Sequence, residues 1–426
     1  MKIKNFKFIA GSLSALAFIA CSEDEPTVEY VTNTVTETVV ETVEVEVEAP
    51  TYVIDSDITE DTTLDASVVW TLDGRVFVKD GVTLTIPAGT IIKATGGTGT
   101  NASVLVVAQG GKIEAAGTAD KPIIMTSVAD DIEVGQLAGS NLDQNVRGLW
   151  GGLIVLGKAH VHGDDPAGAV TQQIEGIPAD VAEGLYGGSD DSDSSGTLTY
   201  VSVRHGGAEI GADNEINGIT FGGVGNGTTL DNLEVVGNVD DGVEFFGGSV
   251  NATNIIVWGQ GDDAVDIDQA YDGTIDNVMI IQEAAGDHGL EIDGPKAGAD
   301  VNKPFTLQNV TIIGNADNAK NAIADFRDGA NGTVKNVLVY GLTSSSNVEL
   351  DKAPDVTRFT DGELTFTAWE VVVPEGATLD GIFDNKVDDT TFQNGFATSI
   401  SSADAATVGA THVFSWFYYG HRIILI

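Results

Sequence analysis

Three segments of the chain repeat one phrase: Asp240-Asp241-Gly242-Val243-Glu244-Phe245, Asp262-Asp263-Ala264-Val265-Asp266-Ile267-Asp268 and Asp287-His288-Gly289-Leu290-Glu291-Ile292-Asp293. Glu244, Asp266 and Glu291 stand 22 and 25 residues apart, and Asp325 follows 34 further on. Each of the first three acids sits between two apolar residues, so an extended strand turns the apolar pair to one face and the acid to the other. A second series keeps step: Asn232, Asn254, Asn277, Asn309 and Asn336, each followed by an aliphatic residue. A unit this short, with two or three strands in it, cannot bury its apolar face alone and must stack on its neighbours, which predicts a parallel β-helix with a ladder of stacked amides. The longer intervals place insertions at fixed turns, over residues 294–303 and 315–322. Neighbouring strands lie about 4.8 Å apart, so acids stacked in register form a column of like charge that a cation or a proton must relieve.

The rest of the chain sets bounds on that reading. A net charge of -44, from 64 acids against 20 bases, excludes nucleic acid and anionic membrane surfaces as direct partners and favours cations or neutral polymers. Hydrophobic residues make up 42% of the chain, enough core material for a large folded body. At the start, Lys2, Lys4 and Lys7 precede an apolar stretch from Gly11 to Ala20 that is too short to span a membrane, so residues 1–20 read as a signal peptide. Cys21 is the only cysteine, which excludes an internal disulfide. Residues 21–50, rich in Val, Thr and Glu as in Val43-Glu44-Val45-Glu46, read as a tether. The β-helix is expected over 51–345, with 51–80 closing one end and 346–426 supplying further coils and a cap. Phe414-Ser415-Trp416-Phe417 opens an aromatic, acid-free stretch that reads as a final strand or hydrophobic cap, or else as a frame-shifted or truncated end of the reading frame.

Several segments carry resemblances. Ala20-Cys21 resembles a bacterial lipoprotein signal, which implies lipidation of Cys21, and Ser22-Glu23-Asp24-Glu25 resembles the signal that sends Bacteroidota lipoproteins to the outer face of the outer membrane. The expected location is therefore the outer membrane, lipid-anchored and facing the exterior. Gly81-Val82-Thr83-Leu84-Thr85-Ile86, Gly110-Gly111-Lys112-Ile113, Gly148-Leu149-Trp150-Gly151-Gly152 and Asp241-Gly242-Val243-Glu244-Phe245-Phe246-Gly247-Gly248 resemble secreted right-handed β-helix proteins of the Bacteroidota, with the pectin-lyase-like fold. That resemblance spans roughly residues 70–345 and implies an all-β, single-stranded right-handed parallel β-helix, with no activity attached to it.

The acids suggest two kinds of chemistry. Glu244, Asp266, Asp268, Glu291 and Asp293, all facing away from the core, form a dense set of hard oxygen donors suited to Ca²⁺, the alternative being a solvated acidic face. Asp191, Asp193 and Ser195 match the first half of a calcium loop, but Ser202 stands where the twelfth-position Glu belongs. The order Asp241, then Asp262-Asp263, then His288, then Arg327 resembles the catalytic pattern of polygalacturonases, inverting β-helix glycosidases. It departs from that pattern where Asp287 replaces a Gly and Gly329 replaces a Lys that would hold a substrate carboxylate. A calcium-dependent lyase would need Arg327 or Lys320 as its base. Lesser signals are His160 and His162 beside Asp164 as a two-His metal pair, Arg204-His205 as a cationic contact in the acidic groove, and Phe246, Trp258 and Tyr271 as sugar-stacking rings. The reading is a calcium-loaded, non-catalytic surface protein that binds an extracellular polysaccharide, with a polysaccharide hydrolase or lyase, or a passive scaffold or adhesin, as alternatives. The oligomeric state is not legible in the sequence.

Overall fold

The structure, a computed structural model, describes residues 52–163, 170–210, 216–295, 303–318, 320, 322–411, 414 and 416–417. The signal peptide expected over 1–20, Cys21, the tether over 21–50 and Asp164 lie outside the described residues. Two long sheets dominate, one of 15 strands and one of 11. From Gly196–Arg204 to Leu364–Val371 successive strands alternate between the two sheets, whereas in the earlier coils one turn gives the larger sheet two strands, as with Thr83–Pro87 and Ile91–Ala94. Thus Thr229–Val236, Ala252–Trp258, Thr274–Ile281, Phe305–Ile313 and Gly332–Tyr340 lie side by side and parallel in the larger sheet. Val243–Phe246, Val265–Asp268, His288–Asp293 and Ala322–Arg327 do the same in the smaller. This is a parallel β-helix. Beyond residue 345 both ladders go on, through Val348–Leu350 and Phe383–Asn385 on one side and Leu364–Val371 and Ala397–Ser399 on the other.

The alternation of the repeated phrase explains the core. Val243, Phe245, Val265, Ile267, Leu290 and Ile292 all point into the lumen and are fully buried. Each such side chain contributes about 1.5–3 kcal/mol of transfer free energy. Phe221, Phe245 and Tyr271 continue the stack, with ring centroids 5.2 and 5.1 Å apart. Near the C-terminal end, Phe359, Phe366, Phe383, Phe392 and Phe396 pack on one another and fill the last coils.

The asparagine series marks a corner. Asn232, Asn254, Asn277, Asn309 and Asn336 have φ between 56° and 65°, the left-handed region that Asn tolerates better than branched residues. Each bends its strand, and the register resumes on the next residue, Leu233 opposite Ile255 and Ile255 opposite Val278. The amide ladder forms in pieces. Asn277 Nδ2 donates to Asn254 Oδ1 at 2.6 Å and Asn336 Nδ2 to Asn309 Oδ1 at 3.0 Å. Asn254 and Asn309 instead turn to Asp231 and Asp276, each at 2.6 Å, because a carboxylate one residue before the preceding Asn is the stronger acceptor.

Candidate metal centre

One outward position runs along the whole smaller sheet. Its occupants, in register, are Phe77, Val106, Ile154, Thr220, Glu244, Asp266, Glu291, Asp325, Glu349 and Asp384. The apolar members are covered by Val161, Ile174, Ile177 and Tyr186, which close a second hydrophobic cluster over the sheet. The acids begin where that cover ends. Glu349 and Asp384 escaped the sequence reading because their coils lack the Asp-Asp or Asp-His lead; counting the register onward from Asp325 finds both.

Side-chain cations pair with acids in the later part of this column. Arg327 pairs with Glu291, with Asp293 at 2.8 Å and with Asp325 at 3.9 Å. Lys386 lies 2.8 Å from both Glu349 and Asp384, and Lys320 pairs with Asp287. Asp325, with a buried Oδ1 that has no partner, is pushed up to about 7 by burial.

The earlier part is different. Ligand oxygens of Asp241, Glu244 and Asp266 all lie within 4.8 Å of one another, and among the described residues no Lys, Arg or His pairs with any of the three. The expectation of an exposed strip needs correction: the acids face away from the lumen, yet Glu244 is 6%, Asp266 7%, Asp268 9% and Asp293 5% exposed. The covering segment reaches over them. Asn217 Nδ2 bridges Glu244 and Glu175, and Gln269 Nε2 donates to Tyr186 Oη at 2.7 Å. Burial first, and then repulsion from neighbouring acids, raises the carboxyls of Asp241, Glu244 and Asp266 well above the usual range. Asp266 shares a hydrogen bond with Glu244, while its Oδ1 is buried without a partner. Such a cluster could hold a metal ion, and its donor set, carboxylate oxygen throughout, suits a hard cation. A second group, Asp240, Asp241 and Asp262, shares Asp241 with the first, and a third joins Asp263, His288 and Glu291.

The residues of the glycosidase-like order form a structural ladder. Asn217, Asp241, Asp263 and His288 occupy one position on consecutive coils, two residues before the strand position shared by Ile219, Val243, Val265 and Leu290. Asn217 Oδ1 accepts the Asp241 N–H at 3.2 Å, Asp241 Oδ1 the Asp263 N–H at 2.9 Å, and Asp263 Oδ1 the His288 N–H at 2.7 Å. Each side chain thus satisfies the backbone of the next coil. His288 Nδ1 also lies 2.8 Å from Asp263; burial lowers its pKa, but Asp263 and the surrounding acids outweigh this and hold it at about 8. Asp262, beside the ladder, is raised by burial and by Asp263. Arg327, enclosed by Glu291, Asp293 and Asp325, is engaged by the protein's own carboxylates.

The lesser signals resolve differently from their sequence reading. Asp191 accepts from the His160 N–H at 3.1 Å and lies 2.7 Å from His160 Nδ1, Asp193 Oδ2 accepts the Lys158 N–H at 2.9 Å, and Ser195 Oγ is buried without a partner. Those carboxylates tie the loop to the neighbouring coil and do not converge as a calcium loop. His160 Nε2 meets the Ala270 carbonyl at 2.6 Å, so both ring nitrogens of His160 are engaged and no pair with His162 forms. Arg204 is buried against Glu234 and Ser202, and His205 against the Val146 carbonyl, so neither reaches the acidic groove. Phe246, Trp258 and Tyr271 are buried, which removes them as sugar platforms.

The catalytic unit of a thermostable GH87 α-1,3-glucanase from Streptomyces thermodiastaticus strain HF3-3 aligns at 15% identity, with a TM-score of 0.27, over 80% of this chain; the chain spans 63% of that unit. Among curated proteins none matches. A family model described as a pectate-lyase-like β-helix domain matches residues 56–418. With parallel ladders running through nearly all of that span, the chain belongs to the pectate-lyase-like β-helix family.

Proposed function

We propose that this chain is a lipid-anchored surface protein whose β-helix holds calcium on Asp241, Glu244 and Asp266 and binds an extracellular glycan without cleaving it. The observation that carries the calcium reading is a contrast: the column acids from Glu291 onward lie beside Arg327 or Lys386, and among the described residues no such cation pairs with the triad. Three buried carboxylates, one with an unpartnered oxygen, fit a hard divalent ion that would replace the protons they otherwise retain. The glycan reading draws on the family, described by its likeness to pectate lyase, and on a charge of -44 that repels polyanions unless a cation bridges them. Asp241 and Asp263, each holding a backbone amide of the next coil, favour a binding role over catalysis. Anchoring rests on the Ala20-Cys21 signal.

A panel of neutral and acidic polysaccharides, offered to protein lacking residues 1–50 with and without calcium, tests the reading. The expected outcome is retention of at least one polymer, weakened by chelation, with no change in polymer length. Chain cleavage that disappears in Asp263→Asn would replace this reading with the hydrolase or lyase. No retention in any condition would leave a passive scaffold.

A further inference from the structure

The aromatic stretch near the C-terminus is not part of the lumen or of the acid column. Its anchor points retrace the larger sheet in reverse. Thr407 donates through its N–H and Oγ1 to Glu370, both at 2.6 Å, on Leu364–Val371. The Ala410 N–H reaches Thr311 Oγ1 at 2.9 Å on Phe305–Ile313, and the Thr411 N–H reaches Asn277 Oδ1 at 2.6 Å on Thr274–Ile281. Trp416 Nε1 donates to Asn232 Oδ1 at 3.0 Å on Thr229–Val236, and its ring meets Tyr200 edge-on at 5.0 Å on Gly196–Arg204. Phe414, Trp416 and Phe417 are buried together with Val236, Ile256, Trp258 and Ile281, outward side chains of three consecutive strands.

The broken amide ladder gives an independent reason for this path. Asn254 and Asn309 bond to Asp231 and Asp276, so neither amide reaches the Oδ1 of Asn232 or Asn277. Those two oxygens are the ones that Trp416 and Thr411 engage. The breaks in the ladder and the grip of the segment coincide.

In a solenoid each coil touches only its neighbours, so coils can open separately. A segment bonded to strands from Leu364–Val371 back to Gly196–Arg204 removes that independence. We propose that Thr407, Ala410 and Thr411, together with Phe414, Trp416 and Phe417, act as a strap that joins these coils into one unit of unfolding. The Asn232 and Asn277 side chains are its docking points, and the apolar strip of Val236, Ile256, Trp258 and Ile281 is its seat.

Native-state hydrogen exchange on the full chain tests this, with Trp416→Ala and with Asn232→Gly, which removes the acceptor while keeping the left-handed backbone within reach. In the wild type, amides of Gly196–Arg204, Thr229–Val236, Ala252–Trp258, Thr274–Ile281 and Phe305–Ile313 should open with one common rate. In Trp416→Ala they should separate coil by coil, spreading over more than about tenfold in rate, and Asn232→Gly should shift the same way by less. If Trp416→Ala does not fold, Asn232→Gly alone decides. A common opening that persists in the folded variants, or wild-type coils that already open one by one, would overturn the strap.

Discussion

Asp266 carries the sharpest consequence at the scale of single residues. It is buried, has an oxygen without a partner and is pressed by the acids around it. Asp266→Asn should therefore raise the melting temperature in chelator, by relieving about 1–3 kcal/mol of desolvation and repulsion, and should abolish any gain from calcium. His288 predicts a pH dependence of its own. Its folded pKa of about 8 exceeds an unfolded value near 6.5, so its contribution is complete below about pH 6.5 and is lost as pH rises through about 8. At about 1.4 kcal/mol per pKa unit the change is about 2 kcal/mol, and urea unfolding of His288→Asn between pH 6 and 9 should lack it. The outward direction of Glu244, Asp266 and Glu291 was legible because alternation fixes the face. The burial of Glu244 and Asp266 was not, since the groups around them, such as Asn217 with Glu175 and Gln269 with Tyr186, are brought together by the fold from distant parts of the chain.

Among the elements, Arg327 adds ion pairs to the backbone ladder that joins the strand Ala322–Arg327 to His288–Asp293. Removing that guanidinium leaves Glu291, Asp293 and Asp325 facing one another, so Arg327→Met should cost about 3 kcal/mol, measured by chemical denaturation, the low end of the range for a broken buried pair because Arg327 is partly exposed. At the corner, Asn277→Ala should cost about 1–2 kcal/mol because Ala enters the left-handed region reluctantly, whereas Asn277→Gly should recover part of that loss. The periodic Asn residues announced a corner in the sequence, but the switch of Asn254 and Asn309 to carboxylate acceptors depends on Asp231 and Asp276 standing one residue before the preceding Asn. The Asp-Asp and Asp-His pairs misled for a related reason. A side chain that accepts the next coil's N–H recurs at the same spacing as a catalytic set would, so Asp241, Asp263 and His288 imitate one.

Across the whole molecule, one column changes character along its length, from Phe77, Val106 and Ile154 under an apolar cover, through Glu244 and Asp266 of the triad, to acids that lie beside Arg327 and Lys386. Arg327 and Lys386 lie beside the later acids, whereas among the described residues no Lys, Arg or His pairs with the triad. Calcium binding to the folded state alone should stabilise it by about 2.7 kcal/mol at a hundred times the dissociation constant. Isothermal titration of calcium into the chelator-treated protein and into Asp266→Asn measures this most directly. A saturable site in the wild type that disappears in the variant is expected; no saturable binding in the wild type, or equal binding in both, would mean that the triad holds no calcium.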